Sequence, residues 1–254
     1  MEDKAKIVAV IPARYQSTRF EGKPLAKILG KPMIQHVYEN IKASRYLDDV
    51  FVATDDERIF KTVQGFGAKA IMTNPKHPTG TDRVAEAAKS IKADIVVNVQ
   101  GDEPLVNKGM VEQVISPLLE DKSINVANLI TEISNIGDYV DVTVVKAALD
   151  KDNFILYLTR SPIPYPKTRQ NYVVYKQIGL YALRKDFLLR FVKMPQTNLE
   201  LIEGVEFLRI LENGCKIKGV ITDYNALSVD TLSDLIEVEK ILKNKKSKDA
   251  KRLL

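Results

Sequence analysis

The sequence predicts an α/β protein with an open, mostly parallel, Rossmann-like sheet covered by helices. Short apolar runs alternate with amphipathic stretches through the first half of the 254 residues. The runs at 6–11 (KIVAVI) and 95–99 (IVVNV) are almost continuously apolar, which is typical of parallel strands buried on both faces. Both runs lead into polar segments, at the end of the strands where ligands of such sheets bind.

Strands and helices are predicted to alternate along this first half. Pro32 stands where a proline best opens a helix, and apolar residues follow it at helical spacing. The predicted order is strand 6–11, helix 33–43, strand 50–53, helix 56–64, strand 70–72, helix 82–91, strand 95–99 and helix 107–119.

The second half predicts a smaller lobe inserted into the same domain. Residues 161–166 contain three prolines, which favour a loop, and Asn213-Gly214 is a typical helix stop. The other predicted elements are strands 143–149, 154–158, 177–183 and 216–221 and helices 199–211 and 231–242. We expect one domain over 1–254, with a lobe at about 132–210 and a basic tail at 243–254.

Composition favours a soluble protein. The chain is 45% hydrophobic, and it has no apolar stretch near the roughly 20 residues that span a bilayer. Its first residues lack the order of a signal peptide, and the single Cys215 fits a reducing compartment. We therefore expect a cytoplasmic location and no membrane partner.

The net charge of +5 is concentrated at one end of the chain. Residues 240–252 carry seven basic and one acidic side chain, a local charge of +6, which leaves about −1 for the remainder. A basic tail is more often solvated than a nucleic-acid site, so we expect no nucleic-acid partner.

A cationic loop follows the first strand. It presents Arg14, Arg19 and Lys23 together with the hydroxyl of Ser17 and a permissive Gly22. Cations and hydroxyl donors at the end of a strand fit a triphosphate, because they offset charge that grows on leaving pyrophosphate. The segment matches neither a Walker loop nor a dinucleotide-binding glycine motif; the alternative is an ordinary solvated basic loop.

Two acidic segments are candidates for a Mg²⁺ site. Asp102 lies just beyond the strand at 95–99, and Asp230 precedes the last predicted helix. Mg²⁺ is commonly held by one or two carboxylates plus phosphate oxygens. The alternatives are that Asp102 only forms a turn and that Asp230 only caps the helix. His36 and His77 show no zinc-ligand spacing, and His77 is interpreted as polar surface.

With these motifs in place, the chain resembles the 3-deoxy-manno-octulosonate cytidylyltransferase (CMP-KDO synthetase) family over nearly its whole length. Many ordered matches are more specific than any single one. The matching segments are IPARYQSTRFEGKPL, GKPMIQHVYE, VATDDERI, TGTDRVAEA, VNVQGDEP, VVKAALD, LYLTRSPIPY, IGLYALRKDFL, LELIEGVEFLRILENGCKIK and VDTLSDL.

The resemblance implies a fold of the nucleotide-diphospho-sugar transferase type and a set of site residues. CTP would be bound by Ala13, Arg14, Ser17, Arg19, Lys23, Thr79, Gly80 and Arg83. The sugar acid would contact Gln100, Arg160, Gln177, Tyr181, Glu206 and Phe207. Mg²⁺ would bind Asp102 and Asp230, and these with Arg14 and Lys23 would be catalytic. The resemblance also implies a homodimer formed through the lobe.

Arg160 is the candidate partner for the carboxylate of the sugar acid, because a guanidinium binds a carboxylate through paired hydrogen bonds. The alternative is that Arg160 braces the proline-rich loop beside it. The anomeric hydroxyl of the sugar is expected to attack the α-phosphorus of CTP, with pyrophosphate leaving in line.

Departures from the family pattern cluster at the expected sugar site. Gln177 stands where the family usually has histidine, and Phe207 where it usually has glutamine. Asp141-Val142-Thr143 replaces Asn-Pro-Asn, and Leu227-Ser228 replaces the residues that commonly precede VDT. Phe207 in the pocket would leave a substrate hydroxyl unpaired, which predicts an altered acceptor such as the 8-amino octulosonate. If Phe207 points into the core, octulosonate remains the acceptor.

Other functions also fit parts of the pattern. The chain could transfer a nucleotide to a sialate-like acid or to another acceptor, since base and acceptor choice depend on pocket geometry. It could instead be a catalytically silent nucleotide-binding protein, because fold does not dictate function. Joint retention of Arg14, Lys23, Asp102 and Asp230 argues against the silent alternative.

Overall fold

The computed structural model describes residues 4–16, 20–167, 172–224 and 227–252, with side chains in the last helix as far as Asn244. The strands are β1 Ile7–Ala13, β2 Lys27–Ile28, β3 Lys31–Pro32, β4 Asp49–Thr54, β5 Lys69–Met72, β6 Ile95–Val99, β7 Val126–Glu132, β8 Lys146–Leu149, β9 Ile155–Thr159, β10 Tyr175–Arg184 and β11 Lys218–Ile221.

Helices follow the strands as the α/β prediction requires. They are α1 Met33–Ile41, α2 Glu57–Gly65, α3 Gly80–Ser90, α4 Lys108–Glu120, α5 Ile136–Val140, α6 Lys185–Phe191, α7 Asn198–Glu203, α8 Leu208–Glu212 and α9 Leu232–Arg252, with a 3₁₀ turn at Lys23–Leu25. None of the helices in the described ranges is long and apolar enough to cross a membrane.

The chain divides into two compact units. The pocket unit, named for the cavity described below, comprises residues 8–91, 98–108 and 226–254. The lobe unit comprises residues 1–7, 92–97 and 109–225.

Parallel strands form the centre of the pocket unit. Strand β1 pairs in parallel with β4, from Val8 opposite Asp49 to Ala13 opposite Thr54. Strand β4 in turn pairs in parallel with β5. All seven residues of β1 are buried, as expected for a parallel strand covered on both faces. The predicted α/β class with a mostly parallel, Rossmann-like sheet is confirmed.

The last helix is anchored in the pocket unit by apolar packing. Val229, Leu235 and Val238 form a buried cluster with Ile28 and Met33. This packing fixes the segment that carries Asp230 against the turn that follows the cationic loop. Residues 243–252, in the predicted basic tail, continue the backbone of α9.

Antiparallel pairing characterises the lobe unit. Strand β10 pairs antiparallel with β7 and β8, strands β8 and β9 form a hairpin, and β11 pairs in parallel with β7. Strand β7 and helix α6 were not predicted from the sequence. The register of β10 shifts between Gln177 and Tyr181, where the side-chain amide of Asn128 donates to the carbonyls of Ile178 and Leu180.

The single helix predicted over 199–211 is wrong. Gly204 ends α7 in the left-handed region, at φ 62°, and α8 begins only at Leu208. A left-handed residue terminates a helix, and glycine adopts that conformation without steric cost. The buried ion pair of Arg209 with Glu200, at 2.7 Å, joins the two short helices.

Gly101 approaches the backbone of β1 so closely that a side chain does not fit. A Cβ at this position would lie 2.8 Å from the carbonyl oxygen of Pro12 and 3.3 Å from Cδ1 of Ile34. The QGD turn therefore needs glycine to bring Asp102 against the end of β1.

Gly101→Ala is expected to lower the free energy of unfolding by about 1–3 kcal/mol, as overpacking against backbone does. The matched control is Gly65→Ala, because a Cβ there meets nothing within 4 Å. The control should change stability by less than about 0.5 kcal/mol. Urea unfolding of both variants measures this; equal midpoints would contradict the close-packing argument.

Candidate active site

A pocket of about 320 Å³ lies in the pocket unit at the carboxyl ends of its parallel strands. The structure brings together here most of the residues predicted to bind nucleotide and metal, whereas Ser17 and Arg19 lie outside the described residues. The lining is formed by Pro12, Ala13, Arg14, Lys23, Pro24, Met33, His77, Pro78, Thr79, Gly80, Arg83, Gln100, Gly101, Asp102 and Asp230.

The two predicted metal ligands converge on one cation. The Lys23 ammonium lies 2.6 Å from Oδ2 of Asp102 and 3.2 Å from Oδ1 of Asp230. Two carboxylates that contact one ammonium are close enough to contact one divalent ion. Among the described residues no group of three or more His, Cys, Asp or Glu side chains is arranged to hold a metal. A pair of carboxylates is compatible with Mg²⁺, which needs few protein ligands when phosphate supplies others.

A backbone hydrogen bond aligns the two acidic segments. The N–H of Val229 donates to the carbonyl of Asp102 at 2.9 Å. The neighbouring hydroxyl of Ser228 lies 3.5 Å from Oε1 of Glu103, a carboxyl group that is itself buried. These contacts place Asp230 beside Asp102 although the two residues are far apart in the sequence.

Thr231, and not Asp230, caps the last helix, because the Thr231 hydroxyl accepts from the backbone N–H of Asp234 at 3.3 Å. Asp234 reaches back to the residues before the helix. Oδ2 of Asp234 accepts from the backbone N–H of Asp230 at 2.9 Å and of Thr231 at 2.8 Å. Burial alone would raise the pKa of Asp234, but the hydrogen bonds from these N–H groups and the Thr231 hydroxyl lower it overall. The Asp230 carboxylate therefore faces Lys23 and is not used as the helix cap.

The described part of the cationic loop closes on itself through Gly22. The N–H of Gly22 donates to the carbonyl of Tyr15 at 2.9 Å, and Gly22 has a φ of 68°. The Tyr15 ring packs at 3.1 Å from the position that a Cβ of Gly22 would take. The sequence interpretation of Gly22 as a permissive residue is confirmed, and the turn delivers Lys23 into the pocket.

Arg83 is held rigidly in the pocket wall. Its buried guanidinium donates to Oδ2 of Asp55 at 2.8 Å and to the hydroxyl of Thr73 at 2.5 Å. At the start of α3, the Thr79 hydroxyl accepts from the N–H of Asp82. The sequence analysis did not identify Asp55, although it stands in the VATDDERI segment used for the resemblance.

His77 is part of the pocket lining, so its interpretation as mere polar surface is wrong. Its Nε2 hydrogen-bonds Oε2 of Glu86, and the same oxygen accepts from the N–H of Asn74 at 2.8 Å. The Asn74 backbone bond is the main cause that lowers the pKa of Glu86, with His77 contributing. The spacing of nine residues gave no sequence signal, because the contact joins a loop to one face of α3.

Arg160 braces the lobe. Its Nε donates to the carbonyl of Glu203 at 2.6 Å, and Nη1 donates to those of Val142 at 2.9 Å and Thr143 at 3.3 Å. Its own N–H donates to the Glu203 carboxylate at 2.8 Å. These contacts favour the bracing alternative over the predicted partnership with a substrate carboxylate, because backbone carbonyls already occupy most of the guanidinium donors.

A buried lysine that the sequence analysis missed holds the same segment. The Lys146 side chain is fully buried, and its ammonium donates to the carbonyls of Asp141 at 2.6 Å, Val144 at 2.9 Å and Arg160 at 2.7 Å. Burial lowers the pKa of Lys146, and the nearby Asp141 charge partly opposes that effect. Lys146 stands in the VVKAALD segment used for the resemblance, but its apolar neighbours indicated only a strand and no role for the lysine.

The remaining predicted sugar contacts take part in three hydrogen-bonded pairs. Gln100, in the pocket unit, donates from Nε2 to Asn98 at 3.3 Å, and Gln177, in the lobe unit, donates from Nε2 to Oδ1 of Asn128 at 2.7 Å. The Tyr181 hydroxyl donates to Oε1 of Glu206 at 3.1 Å.

Phe207 is a core residue. Its side chain is 1% exposed, and its ring packs edge-on against Tyr181 at 4.6 Å and Phe191 at 6.2 Å between centroids. The predicted contact of Phe207 with substrate is not supported, because its ring is enclosed by other aromatic side chains. The Phe207 ring packs against the Tyr181 ring instead.

The chain is similar in sequence to known cytidylyltransferases. The model of the family described as "Cytidylyltransferase" matches residues 8–217. The 3-deoxy-manno-octulosonate cytidylyltransferase of Geotalea uraniireducens is 49% identical, over 94% of this chain and 99% of the relative. That of Geobacter sulfurreducens is 47% identical, over 93% and 99%.

Solved structures of cytidylyl-transferring enzymes are similar to this chain in fold. CMP:2-keto-3-deoxy-manno-octonic acid synthetase complexed with CTP superposes with a TM-score of 0.91 and 39% identity, covering 95% of this chain and all of that chain. The 4-diphosphocytidyl-2C-methyl-D-erythritol synthase of Anaerococcus prevotii has a TM-score of 0.63 at 16% identity, covering 95% of this chain and 100% of that chain. The second likeness shows a common fold alone.

Arg160→Met is expected to lower the free energy of unfolding by about 2 kcal/mol, because it leaves several lobe carbonyls without their donor. Arg190→Met is the matched control, since Arg190 lies in the same unit and its guanidinium lies over the Phe187 ring. Urea unfolding compares the two variants. A normal midpoint for Arg160→Met, with loss of sugar-acid binding alone, would restore the carboxylate-binding role.

Proposed function

We propose that this chain, which belongs to the 3-deoxy-manno-octulosonate cytidylyltransferases, transfers the CMP group of CTP to the sugar acid octulosonate and releases pyrophosphate. The product would be the activated sugar used in lipopolysaccharide biosynthesis. The observation that carries this proposal is the convergence of Lys23, Asp102 and Asp230 at one end of a pocket that Arg14 and Arg83 also line.

The lining residues of the pocket are assigned two roles. Phosphates and a divalent ion would bind beside Lys23 and Asp102. Thr79, Gly80 and Arg83 line the wall formed by the start of α3, where cytosine and ribose would bind. Because Asp55 and Thr73 hold Arg83, the arginine enters the reaction already oriented, which reduces the entropy lost on binding.

Arg14 and Lys23 assist the reaction by charge. As the anomeric hydroxyl oxygen bonds to the α-phosphorus, its proton is released to solvent, the bond to the bridging oxygen breaks and negative charge moves onto pyrophosphate. Cations fixed beside that oxygen stabilise the charge more in the transition state than in the ground state. A Mg²⁺ ion bound by Asp102 and Asp230 would supply further charge neutralisation on the phosphate oxygens.

The position of Phe207 favours octulosonate as the acceptor. The altered-acceptor hypothesis required Phe207 to face the sugar and leave a hydroxyl unpaired, but its ring is buried against Tyr181 and Phe191. Tyr181 and Glu206, which remain paired with each other, are the candidate contacts to the sugar in this proposal.

Pyrophosphate release tests this function. We expect rapid release with CTP, Mg²⁺ and octulosonate, and much slower release when UTP, ATP or GTP replaces CTP. A sialic acid and the 8-amino octulosonate are the comparison acceptors. Preference for either of them over octulosonate would contradict the proposed acceptor, and no release with any pair would favour a silent nucleotide-binding protein.

Asp102→Asn is expected to reduce Mg²⁺-dependent turnover by at least about 100-fold while the protein stays folded, because the amide retains the shape but not the charge that a hard cation needs. Asp49→Asn is the matched control, since it removes a surface ion pair with Lys69 that is worth little. Wild-type turnover in Asp102→Asn would refute the metal assignment.

Two further properties are proposed from the family alone. We expect a homodimer formed through the lobe, and a cytoplasmic enzyme that needs neither nucleic acid nor a membrane. Light scattering of the purified protein measures the first property; a monomer that retains full turnover would contradict it.

A further inference from the structure

The Lys23 ammonium occupies the position between two carboxylates that a divalent cation would need. It contacts Asp102 at 2.6 Å and Asp230 at 3.2 Å. The Lys23 side chain is 14% exposed, whereas those of Asp102 and Asp230 are 29% and 38% exposed. The Lys23 side chain is therefore less exposed than either of the carboxylates that its ammonium contacts.

An ammonium and a divalent ion cannot both contact these oxygens. Mg²⁺ binds carboxylate oxygens at about 2.0–2.1 Å, which places it in the space between the two groups where the ammonium now lies. The two positive charges would also repel each other strongly in this partly buried site. Entry of a metal therefore requires the ammonium to leave.

The backbone around Lys23 is fixed, so this exchange needs only the side chain. The N–H of Leu25 donates to the carbonyl of Gly22 at 2.8 Å, and the N–H of Ala26 donates to the backbone carbonyl of Lys23 at 3.1 Å. Pro24, inside this turn, is buried. The Lys23 ammonium is carried by a flexible four-carbon side chain on this fixed backbone. It can therefore move within the pocket that Lys23 lines.

We propose that Lys23 is the resident counter-ion of the nucleotide-free enzyme and that it makes metal binding depend on CTP. The triphosphate brings oxygens that accept the ammonium, which frees Asp102 and Asp230 for the divalent ion. Without nucleotide, the metal must displace Lys23 with no new partner for the ammonium, so its affinity stays low. This inference rests on the proposed function of the pocket.

Thermodynamic linkage gives the proposal a reciprocal form. If CTP raises the affinity for the metal by some factor, the metal raises the affinity for CTP by the same factor. Removing the ammonium should raise metal affinity in the nucleotide-free protein and shrink that coupling factor. If the ion pair is purely structural, replacing Lys23 should not raise the metal affinity, because the two carboxylates would move apart.

The test is binding of Mn²⁺, followed by the electron paramagnetic resonance signal of the free ion. Lys23→Met is compared with wild type and with Lys31→Met, a control that removes the exposed pair of Lys31 with Glu39. Without nucleotide, Lys23→Met should bind Mn²⁺ at least about fivefold more tightly than wild type, the lower end of usual coupling factors. Lys31→Met should match wild type.

Further arms keep the result interpretable. Lys23→Met combined with Asp102→Asn should lose the gained affinity, which assigns it to this pair of carboxylates. With a non-hydrolysable CTP analogue, wild-type affinity for Mn²⁺ should rise towards that of the variant. Thermal unfolding confirms that each variant is folded, and Lys23→Gln serves as the replacement if Lys23→Met is not.

Equal or weaker Mn²⁺ binding by the folded Lys23 variant would overturn the counter-ion proposal. That result would leave the proposed function standing, because pyrophosphate release by the wild-type enzyme is measured separately. If wild type fails to release pyrophosphate but Lys23→Met binds Mn²⁺ more tightly than wild type, the proposed function is contradicted and the counter-ion role of Lys23 stands.

Discussion

One backbone hydrogen bond, from the N–H of Val229 to the carbonyl of Asp102, determines the geometry of the candidate active site. It joins the turn after β6 to the segment before α9. Apolar packing of Val229 and the last helix against Ile28 and Met33 maintains it. Asp102 accepts this bond and Asp230 follows Val229, so both carboxylates contact the Lys23 ammonium. The proposed binding of metal and phosphate depends on this proximity of the two carboxylates.

Neighbouring residues are consistent with this arrangement of the carboxylates. The Thr231 hydroxyl caps α9 and Asp234 accepts from the N–H groups of Asp230 and Thr231, so Asp230 is not required as a cap. Gly101 allows Asp102 to approach the end of β1, where any side chain would collide with the Pro12 carbonyl.

Four of the described cationic side chains illustrate three different environments, and the environment indicates the task. Lys23 contacts carboxylates and can exchange for another cation. Arg83 is held by Asp55 and Thr73 and keeps one orientation. Arg160 and Lys146 donate to backbone carbonyls of the lobe, where they replace the hydrogen bonds that an irregular segment lacks. Residue type alone does not distinguish a binding residue from a brace.

The sequence identified the parts of the fold whose pattern is local. Strand β6 was predicted with its observed bounds, and β1 within two residues, because each is a continuous apolar run with a clear end. Strand β7 was missed because its pairing partners β10 and β11 come much later in the chain. The break at Gly204 was missed because helical periodicity continues through it, whereas the left-handed conformation does not show in periodicity.

The candidate site was predictable to the same extent. The motifs at Lys23, Asp102 and Asp230 stand next to strand or helix ends, so their convergence followed from topology. The contacts of Arg83 with Asp55 and of His77 with Glu86 did not follow, because each joins separate elements through side-chain geometry. The burial of Phe207 likewise depends on Phe191 and Tyr181, which the pattern around Phe207 does not reveal.

Crystals of the wild-type enzyme with Mn²⁺ and a non-hydrolysable CTP analogue would test the central claim most directly, by anomalous scattering of the metal. The account predicts one Mn²⁺ peak within coordination distance of both the Asp102 and Asp230 carboxylates and of a phosphate oxygen. A map in which no ion contacts both carboxylates would contradict it.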